Sequence, residues 1–144
     1  MSGPHGVALD IPARPEFVGL ARMSVAALAG LGGGFSYERV EDLRIVVSEA
    51  CTSAIEATPP GSDARLRLRL LDAPDLLEIA IEHPEPVFEA ALNSPPDGAG
   101  QLRISLLRAL VDEVRTSAGG ACLHLVAHRS HQPEDQPEDP DEGE

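Results

Sequence analysis

The sequence contains no lysine and no tryptophan, and only 3% of its 144 residues are aromatic. All eleven basic residues are therefore arginines, against 24 acidic residues, and the formal net charge is −13. This excess argues against nucleic-acid binding, because neutralising phosphates requires a basic face. No apolar run approaches the ~20 residues that span a bilayer, and no secretory signal opens the chain. We therefore expect a cytoplasmic protein that binds neither nucleic acid nor membrane.

Cysteine is scarce as well. Cys51 and Cys122 lie in apolar periodic segments and are expected to be buried thiols rather than a disulfide. Cys122, His124 and His128 would share one face of an extended strand, where the two histidines are ~13 Å apart at ~3.3 Å per residue. Because Zn–N bonds are ~2.1 Å long, these residues cannot share a metal ion, and no metal site is expected.

The length and composition indicate one globular domain, since 144 residues leave no room for two sizeable cores. The acidic residues are concentrated at the end of the chain, where residues 130–144 hold seven acids and no arginine. We predict a flexible amino terminus at 1–6, a folded domain at 7–129 and an acidic disordered tail at 130–144. The tail has no apolar residue to offset its ordering entropy. It would keep the protein soluble or, alternatively, compete with acidic partners for exposed arginines.

Apolar periodicity predicts strands and helices in two blocks. The predicted elements are a strand at 7–11, a helix from Pro15 to the glycines at 32–34, a second helix capped by Ser36 and ended at 58–61, a hairpin at 65–82, a loop at 83–100 with one short turn at Val87–Leu92, a third helix from Leu102 to about Val114, and strands near Val114–Ser117 and Ala121–Ala127. This order predicts an α+β fold, a two-layer α/β sandwich with about three helices on one face of a mixed, mainly antiparallel sheet.

Strict alternation of residue types marks the hairpin. Arginines alternate with leucines in RLRLRLL, residues 65–71, and the apolar run LLEIAIE follows at 76–82. A turn centred on Ala73–Pro74 makes one face of the hairpin apolar and gives the other face opposite charges, each pair contributing ~0.2–1 kcal/mol. The predicted pairs are Leu70 with Leu77, Leu68 with Ile79, Leu66 with Ile81, Arg69 with Glu78 and Arg65 with Glu82.

Three segments carry a resemblance to a known family: ARPEFVGLARMSVAALAG, DLRIVVSEACTSAIEAT and LLRALVDEVRTSAGGACLHLVAH. Together, from about Val7 to His128, they resemble the anti-sigma-factor serine kinases, small bacterial regulators in the ATPase superfamily of histidine kinases, gyrase and Hsp90. The resemblance implies the histidine kinase/Hsp90-like ATPase fold. It also implies binding of a sigma factor, phosphorylation of a serine on an anti-anti-sigma partner with ATP and magnesium, and a homodimer formed through the sheet.

That family binds its nucleotide through three short sequence motifs, or boxes, and the first two are altered in this chain. The helical Glu-x-x-x-Asn box supplies a base and a magnesium ligand; here Glu49 matches the base, and Ser53 stands at the Asn position. The two positions share one helix face. In the Asp-x-Gly-x-Gly box a carboxylate recognises adenine, and Glu82 is the candidate replacement here. The segment His83–Pro86 then places prolines where the family has a flexible glycine turn.

The third box is a glycine pair that opens the last helix, where backbone N–H groups meet phosphates. Here Gln101 and Arg103 fall on the glycine positions, and Gly98 and Gly100 lie three residues upstream. If the loop were shifted by three residues, these two glycines would contact the phosphates. In the unshifted loop, the side chains of Gln101 and Arg103 would crowd the phosphates. Arg103 would then supply positive charge instead.

With all three boxes altered, we expect an anti-sigma-factor-like regulator that binds a sigma factor and/or an anti-anti-sigma partner by occlusion, without kinase activity and without a cofactor. The first two helices, including Arg14 and Arg22, are the expected partner-binding elements. Three apolar side chains of the 83–100 loop are expected to fill the former nucleotide cleft: Val87, Phe88 and Leu92.

The alternative is an active serine/threonine-protein kinase that uses ATP and Mg²⁺. In that case Glu49 is the catalytic base and Ser53 a substitute metal ligand, with Gly98 and Gly100 on the phosphates.

Overall fold

The computed structural model describes residues 5–92 and 98–130, which form one sheet and one helical layer. The strands are β1 (His5–Pro12), β2 (Arg65–Asp72), β3 (Leu76–Glu82), β4 (Glu113–Ser117) and β5 (Cys122–His128). The helices are α1 (Val18–Gly32), α2 (Tyr37–Glu56), α3 (Val87–Leu92) and α4 (Ala99–Leu110), with 3₁₀ turns at Pro15–Phe17 and Ala118–Gly120. This arrangement confirms the predicted α+β sandwich.

The sheet has the strand order β1-β2-β3-β5-β4. Every pairing between described strands is antiparallel, so the mixed sheet that we predicted is wrong. The reason lies in the connections, because β2 and β3 form a hairpin and the Ala118–Gly120 turn joins β4 directly to β5. The segment with α3 and α4 then places β4 at the edge, outside β5.

The two faces of the sheet differ in character, as the alternation in β2 and β3 predicted. Burial in β2 alternates strictly along all eight residues. The inward side chains of the sheet join those of the helices in one core, whereas charged side chains lie on the outer face, away from the helices. The central inward residues are Leu66, Leu68, Leu70, Leu77, Ile79, Ile81, Leu123 and Leu125, each at most 1% exposed.

The hairpin register differs from the prediction by two residues. Leu70 pairs with Ile79, because Ala73 and Leu76 close the turn through a 2.9 Å hydrogen bond from the Ala73 N–H to the Leu76 carbonyl. Pro74 is therefore the first central residue of the turn, which suits its fixed φ. The predicted centre would have made it the second, where proline is disfavoured. A shift of two residues preserves the faces, so the predicted faces are correct and the predicted partners are wrong.

The ion pairs on the outer face follow the observed register. Arg69 pairs with Glu82 at 2.5 Å instead of with Glu78. Arg65 pairs with Asp10 of β1 at 2.7 Å instead of with Glu82. The predicted charge complementarity is therefore present, but with different partners.

Helix α2 begins as predicted, whereas α4 does not have the predicted bounds. The Ser36 hydroxyl accepts the N–H of Arg39 at 3.1 Å and caps α2. Helix α4 covers 99–110 rather than 102–114, because Val111 adopts an extended backbone (φ −129°, ψ 170°) that ends the helix before β4. Within the described ranges, no helix has both the length and the apolar character needed to cross a membrane.

The predicted domain limits differ from the structure at the amino end. His5 and Gly6 were predicted to be flexible, but they belong to β1 and pair with Asp72 and Leu71. At the other end, the Ser130 N–H donates to the Gly34 carbonyl at 2.9 Å. The remainder of the predicted tail, 131–144, lies outside the described residues.

A buried ion pair lies where the α1–α2 loop meets the sheet. Asp72 and Arg129 are 7% and 5% exposed, and the guanidinium donates to the Asp72 carboxylate. It lies 4.6 Å from the centre of the Phe35 ring and also donates to three main-chain carbonyls, those of Ala29, Gly33 and Ala73. Arg129 thus fastens the α1–α2 loop to the β2–β3 turn.

Candidate functional site

The first candidate box lies on the exposed side of α2. Glu49 and Ser53 are one turn apart and Glu56 is a further turn along, so the three side chains share a face. The adjacent side of this part of the helix is buried in the core through Val46, Ala50 and Ala54. The carboxylate of Glu49, with its side chain 36% exposed, therefore lies at the edge of the core beside α4.

Arg103 of α4 reaches across to this face of α2. Its Nε donates to Glu49 Oε1 at 3.0 Å, and its Nη1 donates to Glu56 Oε1 at 2.9 Å. The Arg103 side chain is 24% exposed, and these hydrogen bonds, above all the one to Glu56, raise the pKa of the guanidinium. Glu49, which stands at the family's catalytic-base position, thus already has a charge-assisted hydrogen-bond partner within the chain.

The structure places Glu82 away from the cleft between α2 and α4, where Arg103 meets Glu49. It belongs to the outer face of the sheet, where it pairs with Arg69, and the helices pack on the other face. The prediction that Glu82 replaces the adenine-binding carboxylate is therefore wrong in its geometry. The alternation in LLEIAIE explains why Glu82 lies on the outer face. Leu77, Ile79 and Ile81 point inward, so the next inward position is 83.

His83 occupies that inward position, and sequence reasoning had not singled it out. It is 6% exposed, and its Nδ1 accepts the N–H of Glu85 at 2.9 Å. Because Nδ1 is an acceptor, Nε2 carries the proton and donates it to the Thr58 hydroxyl at 2.8 Å. That hydroxyl donates in turn to the Ala54 carbonyl at 2.8 Å. Burial lowers the pKa of His83, so the neutral ring ties the loop after β3 to the end of α2.

The third box has no glycine in a left-handed conformation. Gly98 caps α4 with an extended backbone (φ −88°, ψ 166°), and its carbonyl accepts the N–H groups of Gln101 and Leu102, each at 3.1 Å. Gly100 lies in the first turn of α4 and has no positive φ. The conformational freedom that makes glycine useful near phosphates is therefore not used at either position.

Two of the three apolar residues predicted to fill the former nucleotide cleft are buried or partly buried. Phe88 is 2% exposed within the core, and Val87 is partly buried against it. The side chain of Leu92, the third residue of this prediction, lies outside the described residues. Phe88 and Val87 thus contribute to the core near the cleft rather than to the surface.

The residues gathered here do not fit a magnesium-bound nucleotide. Glu49 is ion-paired, and Ser53 offers a single hydroxyl where the family has an amide carbonyl. His83 uses both ring nitrogens in hydrogen bonds with the chain itself. In the part of the chain that the structure describes, no group of three or more His, Cys, Asp or Glu side chains is placed to hold a metal ion. In the cleft between α2 and α4, one arginine is therefore paired with two carboxylates of the chain itself.

The predicted partner-binding arginines have different surroundings. Arg14 is 60% exposed and lies 3.9 Å from Glu16, so its charge faces solvent. Arg22 instead donates to the Ser48 hydroxyl at 3.0 Å and links α1 to α2. The structure also shows an apolar stripe on the exposed face of α1 that we had not predicted. Its members are Leu20, Met23 and Leu31, which are 50%, 66% and 78% exposed.

Comparison with known proteins agrees with this architecture. The family described as the histidine kinase-like ATPase domain matches residues 11–127. A serine-protein kinase RsbW of Bacillus pumilus is 32% identical over 127 residues, covering 78% of this chain and 78% of that protein. The RsbW serine-protein kinases of Listeria monocytogenes serotype 4a and Bacillus subtilis are 31% and 30% identical over 122 residues. They cover 76% of this chain and 77% and 76% of their own lengths.

Proposed function

Because the chain belongs to the histidine kinase-like ATPase domain family, we propose that it is an anti-sigma-factor-like regulatory protein without ATP-dependent kinase activity. It binds a sigma factor and/or an anti-anti-sigma partner and acts by occupying the partner's surface. The relatives named serine-protein kinase RsbW support the resemblance of this chain to the anti-sigma-factor serine kinases. The loss of kinase activity is inferred from this chain's own cleft.

One observation carries the proposal, namely the Arg103 guanidinium held between Glu49 and Glu56 at 3.0 and 2.9 Å. A general base must be free to accept the proton of the attacking hydroxyl. Glu49 instead accepts a hydrogen bond from the charged Arg103 guanidinium, so its Oε1 is already engaged within the chain. Phosphoryl transfer also depends on metal ions that neutralise the developing charge. Ser53 is a poorer magnesium ligand than the family's asparagine.

The exposed stripe of α1 (Leu20, Met23 and Leu31) supports a role in protein binding. Aromatic and aliphatic side chains anchor interfaces when they are surrounded by polar residues, and Arg14 lies exposed near the start of the same helix. These exposed side chains support a contact surface on α1, one of the two helices proposed to bind the partner. Arg22 links α1 to α2 through its hydrogen bond to Ser48.

Binding experiments test the proposal. Immobilised protein is titrated with each purified sigma factor and anti-anti-sigma homologue of the source organism, with and without ATP and magnesium. We expect one of them to bind with the same affinity in both conditions. Met23→Asp should abolish this binding, whereas Leu102→Asp, at an equally exposed position on α4, should not.

Two results would contradict the proposal. Absence of binding to every sigma factor and anti-anti-sigma homologue would refute the regulatory role. Transfer of ³²P from ATP to an anti-anti-sigma homologue, lost in Glu49→Gln, would refute the loss of activity and establish the kinase alternative.

A further inference from the structure

Three side chains on the outer face of the sheet are joined by hydrogen bonds, far from the cleft. Ser117 of β4 and His124 of β5 lie on paired strands, and Glu78 lies on β3, the other neighbour of β5. The Ser117 Oγ is 2.7 Å from His124 Nε2, and His124 Nδ1 is 3.1 Å from Glu78 Oε2. The order is hydroxyl, imidazole, carboxylate.

The hydrogen-bonding capacity of each group fixes where the protons lie. A carboxylate accepts only, so Glu78 requires a proton on Nδ1 of His124. In the neutral ring Nε2 is then the unprotonated nitrogen, and it accepts the Ser117 O–H. This is the arrangement in which an imidazole can remove the proton of an attacking hydroxyl while a carboxylate stabilises the resulting imidazolium.

The burial of the three groups suits these roles. The side chains of His124 and Glu78 are 14% and 25% exposed, so they are held within the sheet surface, whereas Ser117 is exposed. Glu78 Oε2 also lies 3.7 Å from Arg115 Nη2, which restrains the carboxylate. Beside His124 the same face has an open cavity of about 350 Å³, lined by Glu78, Ala80 and the β1 residues Gly6 to Ala8.

The backbone at Ser117 provides a second observation. Ser117 is the last residue of β4, and Ala118 follows with φ 55°. Among the described residues Ala118 is the only non-glycine residue with a positive φ. Ser117 itself has an extended backbone (φ −146°, ψ 179°), so the chain turns immediately after the serine and leaves it at the exposed end of β4. Unfavourable conformations such as that of Ala118 cluster at functional sites.

We infer that Ser117 is a nucleophilic acyl-acceptor site for small activated esters, with His124 as its general base and Glu78 as a positioning residue. The Ser117 oxygen adds to the ester carbonyl carbon, and its proton passes to His124 Nε2. The bond from that carbon to the leaving oxygen then breaks, and the leaving group departs with the electron pair. The products are an O-acyl serine and the leaving group, and His124 returns its proton to solvent or to the leaving group.

The composition of the chain makes this inference easy to test. There is no lysine to acylate, and both cysteines are buried. Ser105 of α4 provides an internal control, because it is an exposed serine on a helix. A difference in acylation between the Ser117 and Ser105 peptides therefore reports on the surroundings of Ser117.

The experiment treats the full chain with p-nitrophenyl acetate and locates the acetyl group by peptide mass spectrometry. We expect acetylation of Ser117 to be faster than that of Ser105 by about 100-fold or more, the scale of general-base catalysis. His124→Gln keeps hydrogen-bonding atoms but lacks the basic nitrogen, and it should remove this advantage. Glu78→Gln should reduce the rate without removing it, and Ser117→Ala should give no acetylation of that peptide.

Circular dichroism melts of each variant distinguish loss of reactivity from loss of fold. Should His124→Gln be unfolded, the wild-type comparison of Ser117 with Ser105 and the Glu78→Gln rate decide the question alone. Equal acetylation of Ser117 and Ser105 would overturn the inference. So would a Ser117 rate that is unchanged in folded His124→Gln, or stable acetylation of His124 in place of Ser117.

Discussion

The buried pair of Asp72 and Arg129 allows a quantitative prediction about stability. Arg129→Met retains the apolar stem of the side chain but removes the charge and all five N–H donors. The Asp72 carboxylate, 7% exposed, would then remain buried without its partner, and the carbonyls of Ala29, Gly33 and Ala73 would lose a donor. Removal of one partner from a buried ion pair costs about 3–5 kcal/mol.

A matched pair on the surface provides the control. Arg65 and Asp10 form an arginine–aspartate ion pair too, with an Nε–Oδ1 distance of 2.7 Å, but their side chains are 55% and 51% exposed. Exposed pairs contribute about 0–1 kcal/mol, so Arg65→Met should change stability little. Both substitutions remove the same groups, and the difference between them isolates the effect of burial.

Urea denaturation of the wild type and the two variants, followed by circular dichroism, measures the free energy of unfolding. We expect a loss of about 3–5 kcal/mol for Arg129→Met. Asp72→Leu combined with Arg129→Met should recover much of that loss, because replacing both buried charges with apolar groups is often close to neutral. A loss below about 1 kcal/mol, equal to that of Arg65→Met, would refute the reasoning that burial makes this pair costly to break.

Three further predictions concern the core and the cleft. Burial lowers the pKa of His83, so folding favours the neutral ring. The contribution of His83 to the free energy of unfolding is therefore complete above pH ~6.5, the ordinary pKa of histidine, and declines as the pH falls through that value. His83→Gln should decline less between pH 7.5 and 5 in urea titrations, and equal slopes would contradict this. Burial raises the pKa of Cys51 to about 12 and also raises that of Cys122. Neither thiol should therefore react with a disulfide reagent at pH 7 until the protein is denatured, and rapid labelling of the native protein would contradict this prediction. Finally, the double variant Ser53→Asn, Arg103→Gly should bind ATP and magnesium detectably in a calorimeter, whereas Ser53→Asn alone should not. Absence of binding heat in both variants would contradict the inference that Arg103 prevents nucleotide binding.

Much of the fold could be predicted because local patterns determine it. The alternation in β2 and β3 gave the correct faces, and Ser36 gave the correct start of α2. The register was wrong because it depends on which two residues form the turn, and Pro74 prefers the first central position. The end of α4 was wrong because the helical apolar pattern continues through Val111, whereas the backbone at that residue is already extended.

The candidate site was predicted less completely, since it depends on contacts between distant elements. Glu49 was identified from its box, but its partner Arg103 is 54 residues away on another helix, and the pattern of neither helix contains that contact. Glu82 and His83 are adjacent in sequence and lie on opposite faces of the sheet. Extending the alternation of β3 by one residue would have assigned the inward position to His83.

The central claim is tested most directly by titrating the wild-type protein with ATP and magnesium in a calorimeter. The account predicts no binding heat at high protein concentration and no thermal shift, because Arg103 holds Glu49 and the other two boxes are replaced. Saturable micromolar binding would contradict it. That result would restore Glu49 and Ser53 as nucleotide-site residues.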